Sequence, residues 1–179
     1  MARNILVATD LSDNSAFAFH YAVDMAAIHN ASLVVLYVME ELPQSVRALF
    51  HGLPDSGHMA TLKEDNVRRI KERLHLYCDQ EREENPSCRM LDIAIEVRDG
   101  YPADEILKTA DRVRCDLVVM AAHAKGFLKH TFIGSTAEKV LKRSWIPLLI
   151  VPFPENAKVR SIEASYRDQN EIISGPRSV

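Results

Sequence analysis

Gly134-Ser135-Thr136 is the segment of this chain best suited to holding an anion. It reads as the opening of a helix that runs to Arg143. The first backbone N–H groups of a helix lack intrahelical partners and sit at the positive end of its dipole, so phosphate or carboxylate is stabilised there. A second polar cluster, Thr9-Asp10-Leu11-Ser12-Asp13-Asn14, follows an apolar run and is rich in helix-capping residues. Other chemistry finds no support. His123 and His130 are seven residues apart and lack the spacing of a helical zinc pair, while His51 and His58 lie in a long polar connection and read as solvated side chains. Cys78, Cys88 and Cys115 form no CxxC pair and have no identifiable His partner, so neither a disulfide framework nor a cysteine nucleophile is expected. No catalytic residue and no metal ligand is expected anywhere. A dinucleotide-binding GxGxxG is absent, and the segment after the first strand contains no glycine, which sets aside dehydrogenases and adenylating or pyrophosphatase-type enzymes.

The elements that must position these two segments follow from the apolar pattern. Asn4–Ala8, Ala31–Met39, Asp116–Ala122 and Pro147–Val151 are continuous apolar runs, as in strands covered on both faces. Met90–Val97 alternates apolar with charged residues and predicts a strand near a sheet edge. Helices are expected over Ser15–Ile28, with Phe17, Tyr21, Met25 and Ile28 at helical intervals and Asn30 as a left-handed stop. Another runs from Met59 to about Glu84, with Leu62, Val67, Ile70, Leu74 and Tyr77 as its apolar stripe and Asn85-Pro86 as its end. Asp99-Gly100 reads as a turn and Pro102 as the opener of a helix over Ala103–Arg114, carrying Ile106, Leu107, Ala110 and Val113 on one side. Five strands alternating with four helices predict an α/β fold: a five-stranded parallel sheet with right-handed crossovers and helices on both faces. Ligands of such sheets bind beyond the carboxyl ends of the strands where the winding reverses. With the first strand central, that crevice lies between the loops Thr9–Asn14 and Ala121–Ser135.

Composition bounds the reading further. The chain has 179 residues, 47% hydrophobic and 26% charged, as expected of one soluble globular domain with an appendage. Its 22 basic and 25 acidic residues leave a net charge of −3, so general nucleic-acid binding is not expected. No apolar stretch approaches the roughly 20 residues of a membrane span, and the N-terminus is a poor signal peptide, which points to the cytoplasm. Glycine, which lets a backbone approach a phosphate closely, is scarce: six in the chain, about half the usual share of about 7%. Gly126 and Gly134 alone fall near the expected crevice.

Three stretches are similar to the universal stress protein family: ILVATDLSDNS followed by a helix, LVVLYV, and DLVVMAAHAKGFLKHTFIGSTAEKVLKRSWIPLLIV. The third is the most specific. The family's usual form is a strand ending in Gly, two residues, Gly, nine residues, then Gly and Ser or Thr. Gly100-Tyr101-Pro102-Ala103 and the run Ile106–Cys115 match the family's pre-helix turn and helix. The resemblance covers roughly residues 2–153 and implies a Rossmann-like sheet of the adenine nucleotide alpha hydrolase type, strand order 3-2-1-4-5. It implies a domain over residues 1–154, with residues 155–179 left as a polar tail, flexible or ordered only against a partner. The implied protein is a cytoplasmic stress-response protein that binds an adenine nucleotide, ATP or AMP, with or without Mg. It would act as a dimeric regulator or interaction module, homodimeric through its last strand, and hydrolyse ATP slowly at most.

The family's nucleotide contacts carry over to particular residues. Ala8 and Thr9 would meet adenine through their backbone, Asp10 would meet base, ribose or metal, and Val38 would be an apolar adenine contact. Ala121, His123, Ala124 and Lys125 fall in the phosphate loop, and Gly134, Ser135 and Thr136 at the helix start. Each has a structural alternative: Asp10 and Ser135 as caps, Ala8 and Thr9 as strand-end packing, Val38 as core. The departure from the family pattern is that Ala121 and Ala124 stand where it has glycine. If those positions require positive φ the loop must change shape, and Lys125-Gly126 would then compensate in part with a cation and a hinge. The competing reading is therefore a dimeric member of the same family that binds no nucleotide and acts only through protein partners.

Overall fold

The structure, a computed structural model, describes residues 3–40, 56–122 and 133–154, together with 159, 162 and 164–166. Five strands, β1 (Asn4–Thr9), β2 (Ser32–Glu40), β3 (Ile93–Gly100), β4 (Leu117–Ala121) and β5 (Leu148–Val151), form one sheet in the order β3-β2-β1-β4-β5. All four pairings are parallel, with Ala8 opposite Leu36 on one side and Met120 on the other. The expected order 3-2-1-4-5 is the observed one. Helices α1 (Asp13–His29), α2 (Ser56–Glu84), α3 (Pro86–Arg89), α4 (Pro102–Arg112) and α5 (Ser135–Arg143) connect the strands and cover both faces. No described helix is long and apolar enough to cross a membrane.

Strand alternation divides the core in two. Ile5, Val7, Leu33, Val35 and Val119 face α1 and α2, whereas Leu6, Val34, Leu36, Val118 and Met120 face α4 and α5. Both sets are buried, which explains why these strands read as continuous apolar runs. The face of α1 differs from expectation. Phe19, Ala22, Val23 and Ala26 are buried, while Tyr21 and Ile28 are 43% and 70% exposed. Alanines bring the helix axis close to the sheet, and the larger residues are displaced to its flank, where Phe17 packs edge-on against Tyr21 and Phe153 at 5.3 and 5.5 Å.

Other boundaries moved for local reasons. Asn85 does end α2, but its side chain then accepts from the Ser87 N–H at 2.9 Å and starts α3, with Pro86 at the first turn. Met90 consequently caps that helix and β3 begins later, at Ile93. Asp99-Gly100 is not a turn: β3 continues through it, Gly100 pairing with Glu40 at the edge. Gly100 has φ +140, and a Cβ there would lie 3.0 Å from Glu105 Cγ. Leu62 is exposed, whereas Ile70, Leu74 and Tyr77 of the same stripe are buried. Asn30 ends α1 in the left-handed conformation, as expected. Beyond Pro154 the described residues lie against the domain. Ile162 is buried in the core on the α1 and α2 side, and the Arg73 guanidinium sits 4.7 Å over the Tyr166 ring.

One tie between α1 and α2 is sensitive to pH. His20 Nε2 lies 3.1 Å from Glu81 Oε2 and 3.4 Å from the Tyr77 hydroxyl. The Glu81 hydrogen bond raises the His20 pKa above its ordinary 6.5, against an opposing effect of burial, with Asp24 and Glu84 adding to the rise. A folded pKa above the unfolded one means that this contact contributes its full stability below about pH 6.5 and loses it as pH rises through the folded value. The urea midpoint of the protein is expected to fall between about pH 6 and about pH 8, and His20→Gln to fall less. Equal falls in both proteins would contradict the assignment.

Candidate functional site

The sequence puts a polar segment after each inner strand, and the sheet brings these segments together. At the carboxyl ends of β1, β2 and β4 a crevice of about 480 Å³ opens, lined also by the first turns of α1, α4 and α5. Its volume falls in the range of small-molecule sites, about 300–1,000 Å³. Of the residues singled out from sequence, Ala8, Thr9, Asp10, Val38, Ala121, Gly134, Ser135 and Thr136 all line it. His123, Ala124 and Lys125 lie outside the described residues.

The turn after β1 is held by its own side chains. The Thr9 hydroxyl accepts from the Leu11 N–H at 3.0 Å and bonds the Ser15 hydroxyl at 2.9 Å, fixing Leu11 at φ 67. Asp10 accepts from the Ser12 N–H at 3.0 Å and from the Ser12 hydroxyl. Burial pushes the Asp10 carboxyl up, but these hydrogen bonds, with a further one from Ser15, outweigh it and hold the group below the ordinary carboxylate range. Asp10 is therefore ionised at neutral pH and acts as an acceptor only. The helix cap is a different residue: Ser12 accepts from the Ser15 N–H at 3.3 Å. Asn14 reaches across to the Ala122 carbonyl at 3.5 Å, tying the start of α1 to the end of β4.

The three helix starts at the crevice are unequal. That of α1 is capped by Ser12, and α4 opens on Pro102, which has no N–H, with the Asp104 and Glu105 N–H groups taken by the Tyr101 carbonyl, whereas α5 begins at Gly134, φ 95 and ψ 139, with no side-chain cap hydrogen bond. The first N–H groups of α5 thus face the crevice without a side-chain partner, which is the arrangement that suits an anion. The remaining walls are largely apolar: Leu36 and Val38 from β2, Met120 from β4, and Pro102 and Ile106 from α4. Asp10 and Glu40 are the charged members of the described lining. Glu40 and the apolar wall other than Val38 were not singled out from sequence as site residues. Their signal was strand parity, since Leu36, Val38 and Glu40 alternate onto one face.

Ala121 is the last residue of β4, pairing with Val151, and the described non-glycine residues with positive φ are Leu11, Asn30 and Arg114. Its methyl group therefore sits on ordinary strand backbone and imposes no left-handed strain. Ala121→Gly is expected to leave the affinity for any ligand of this crevice within about threefold and to destabilise the fold by about 0.5–1 kcal/mol through added backbone freedom. A gain in affinity of tenfold or more would contradict this.

Cys78, Cys88 and Cys115 are free thiols and buried. Burial pushes Cys78 up to about 12 and Cys88 up to about 11, which keeps both in the unreactive thiol form.

Comparison with known proteins agrees with this geometry. The family model described as the universal stress protein family matches residues 1–152. Universal stress protein MJ0531 of Methanocaldococcus jannaschii is 30% identical over 153 residues, covering 86% of this chain and 84% of that protein. Among solved structures, that of MJ0577 from the same organism is 22% identical, with a TM-score of 0.67 over 86% of this chain and 98% of its own, and so shares the fold. A universal stress protein in complex with cAMP is 25% identical, with a TM-score of 0.51, covering 84% of this chain and 96% of its own. With the family model running from before β1 to beyond the end of β5, the chain belongs to the universal stress protein family.

Proposed function

We propose that this chain binds an adenine nucleotide, ATP or AMP, in the crevice at the ends of β1, β2 and β4. The observation that carries the reading is that one crevice combines an uncapped helix start at Gly134-Ser135 with apolar walls from Val38, Ile106 and Met120. The first suits a phosphate and the second a planar base, and a nucleotide spans both. Asp10, ionised and partly engaged by Ser12, lies between them at the end of β1 and would meet the ribose or base as a hydrogen-bond acceptor. The cAMP-bound relative supports the same class of ligand. Ala121, on strand backbone, offers no obstruction.

The protein would act in the cytoplasm as a dimeric regulator or interaction module of the stress response. Buried free thiols suit a reducing compartment. β5 is a sheet edge with apolar residues, and Leu141 and Trp145 nearby are 48% and 98% exposed. An uncovered apolar edge favours pairing with a second copy. Light scattering of the full chain is expected to give about twice 20.2 kDa, and a monomer mass would overturn the dimer. Nucleotide binding is tested by acid extraction of the purified protein and chromatography of the supernatant. An adenine nucleotide is expected at close to one per chain, and the Ser135→Ala protein should release less.

A further inference from the structure

The chain continues past residues 1–152, which the family model matches, and part of that continuation is built into the core. Residues 162 and 164–166 are helical. Ile162 is 1% exposed and belongs to the cluster that α1 and α2 form with the sheet, and Val159 packs against the same cluster. One helical turn on from Ile162, Tyr166 lies under the Arg73 guanidinium of α2, 4.7 Å from the ring centre. An aliphatic and an aromatic anchor at that spacing hold a short helical segment on an apolar surface.

The same segment carries a defect. Ser165 is fully buried, and its hydroxyl has no hydrogen-bond partner among the described residues. Once the segment is released, that hydroxyl is hydrated. Docking therefore strips it of water without replacing the bond, a penalty that corresponds to about tenfold or more in the docking equilibrium. Few anchors set against an unpaired hydroxyl make a contact that opens on its own, well below the free energy of global unfolding.

The segment is also linked to the crevice. Phe153, just beyond β5, sets its ring 5.5 Å from that of Phe17, which follows Ser15 by two residues in the first turns of α1. Ser12, Asn14 and Ser15 line the crevice. A ligand that holds this part of α1 holds Phe17 and Phe153 with it, and so favours the docked segment.

We propose that residues 159–166 form a releasable strap on the α1 and α2 layer, whose docking is strengthened when the crevice is occupied. The strap stands on its own contacts, and its coupling to the crevice rests on the adenine-nucleotide reading above.

Hydrogen–deuterium exchange of the full chain, read by mass spectrometry, tests both parts. The amides of residues 162–166 are expected to exchange while those of β1 stay protected. Ser165→Ala should slow them about tenfold, beyond the roughly threefold at most that the helix propensity of alanine supplies. Ile162→Ala should speed them at least about tenfold with β1 still protected. Saturating AMP should slow them about fivefold in the wild-type protein. Exchange of the segment only together with β1, or slowing by Ser165→Ala of about threefold or less, overturns the strap. If AMP binds by calorimetry and the exchange of the segment is unchanged, the coupling is overturned while the nucleotide reading stands. If AMP does not bind, the nucleotide reading and the coupling fail together, and the two variants still decide for or against the strap.

Discussion

Replacing Gly134 by valine is expected to weaken nucleotide binding by at least about tenfold and to destabilise the fold by about 1–3 kcal/mol. Gly134 is held at φ 95 and ψ 139, a region that a β-branched residue enters only under strain. Its position makes that strain consequential. It is the residue before α5, and its carbonyl accepts the Glu138 N–H at 2.8 Å, so it sets the direction in which the helix starts. If valine relaxes to negative φ, the N–H groups of Ser135 and Thr136 turn away from the crevice. Ser135→Ala is the useful comparison. It removes a hydroxyl and leaves the backbone in place, so a loss of about fivefold in affinity with little change in stability is expected. Affinity by calorimetry and stability by urea unfolding separate the two effects. A valine variant that binds as the wild type does would show that the conformation of Gly134 is incidental.

Phe19→Ala is expected to have the largest effect on stability, about 3–5 kcal/mol. Phe19 is 1% exposed, on the face of α1 that meets the sheet, with its ring 5.3 Å from the ring of Tyr77 in an edge-on arrangement. Tyr77 is equally buried and belongs to α2. The pair thus fastens both helices of one layer, and its removal leaves a cavity that neither helix can close without moving off the sheet. For a chain of this size the melting temperature should fall by roughly 10 °C or more, with the denaturant slope unchanged. Phe17→Ala, on the half-buried flank of the same helix, should cost less than half as much. Comparable losses at the two positions would mean that the buried face of α1 has been misassigned.

That face is where sequence periodicity was least informative. Phe17, Tyr21, Met25 and Ile28 recur at helical spacing, as do Phe19, Ala22, Val23 and Ala26, and a helix can bury only one such stripe fully. The sheet selected the smaller set because alanines permit close approach, a choice that depends on packing and not on hydrophobicity. The strands were far more legible. NILVA, LVVLYV, LVVMA and LLIV are apolar on both parities, which only a strand covered on both sides requires; that the sheet is parallel followed from their alternation with helices, and the strand order from the resemblance to the family. The start of β3 was misplaced because Asn85-Pro86-Ser87 ends one helix and begins another, and a single capping residue serves both.

The site was legible to the extent that its residues lie at the ends of strands. Asp10 and Gly134 stood out from their positions beside apolar runs, Val38 only from the resemblance to the family, and the sheet order brings all three to one crevice. Glu40 did not, because it reads as the first residue of a long polar connection until the strand is seen to include it. Ala121 was located correctly, but its significance depends on φ, which the residue type does not determine. The sequence raised the question of strain at this alanine, and the strand backbone at Ala121 answers it for that position.

The central claim, that the crevice holds an adenine nucleotide, is tested most directly by calorimetric titration of the full chain with AMP and with ATP in the presence of Mg. Saturable binding with one site per chain is predicted, weakened at least about tenfold by Gly134→Val. The absence of saturable heat for either nucleotide at millimolar concentration, in protein from which any bound nucleotide has been removed, would contradict it.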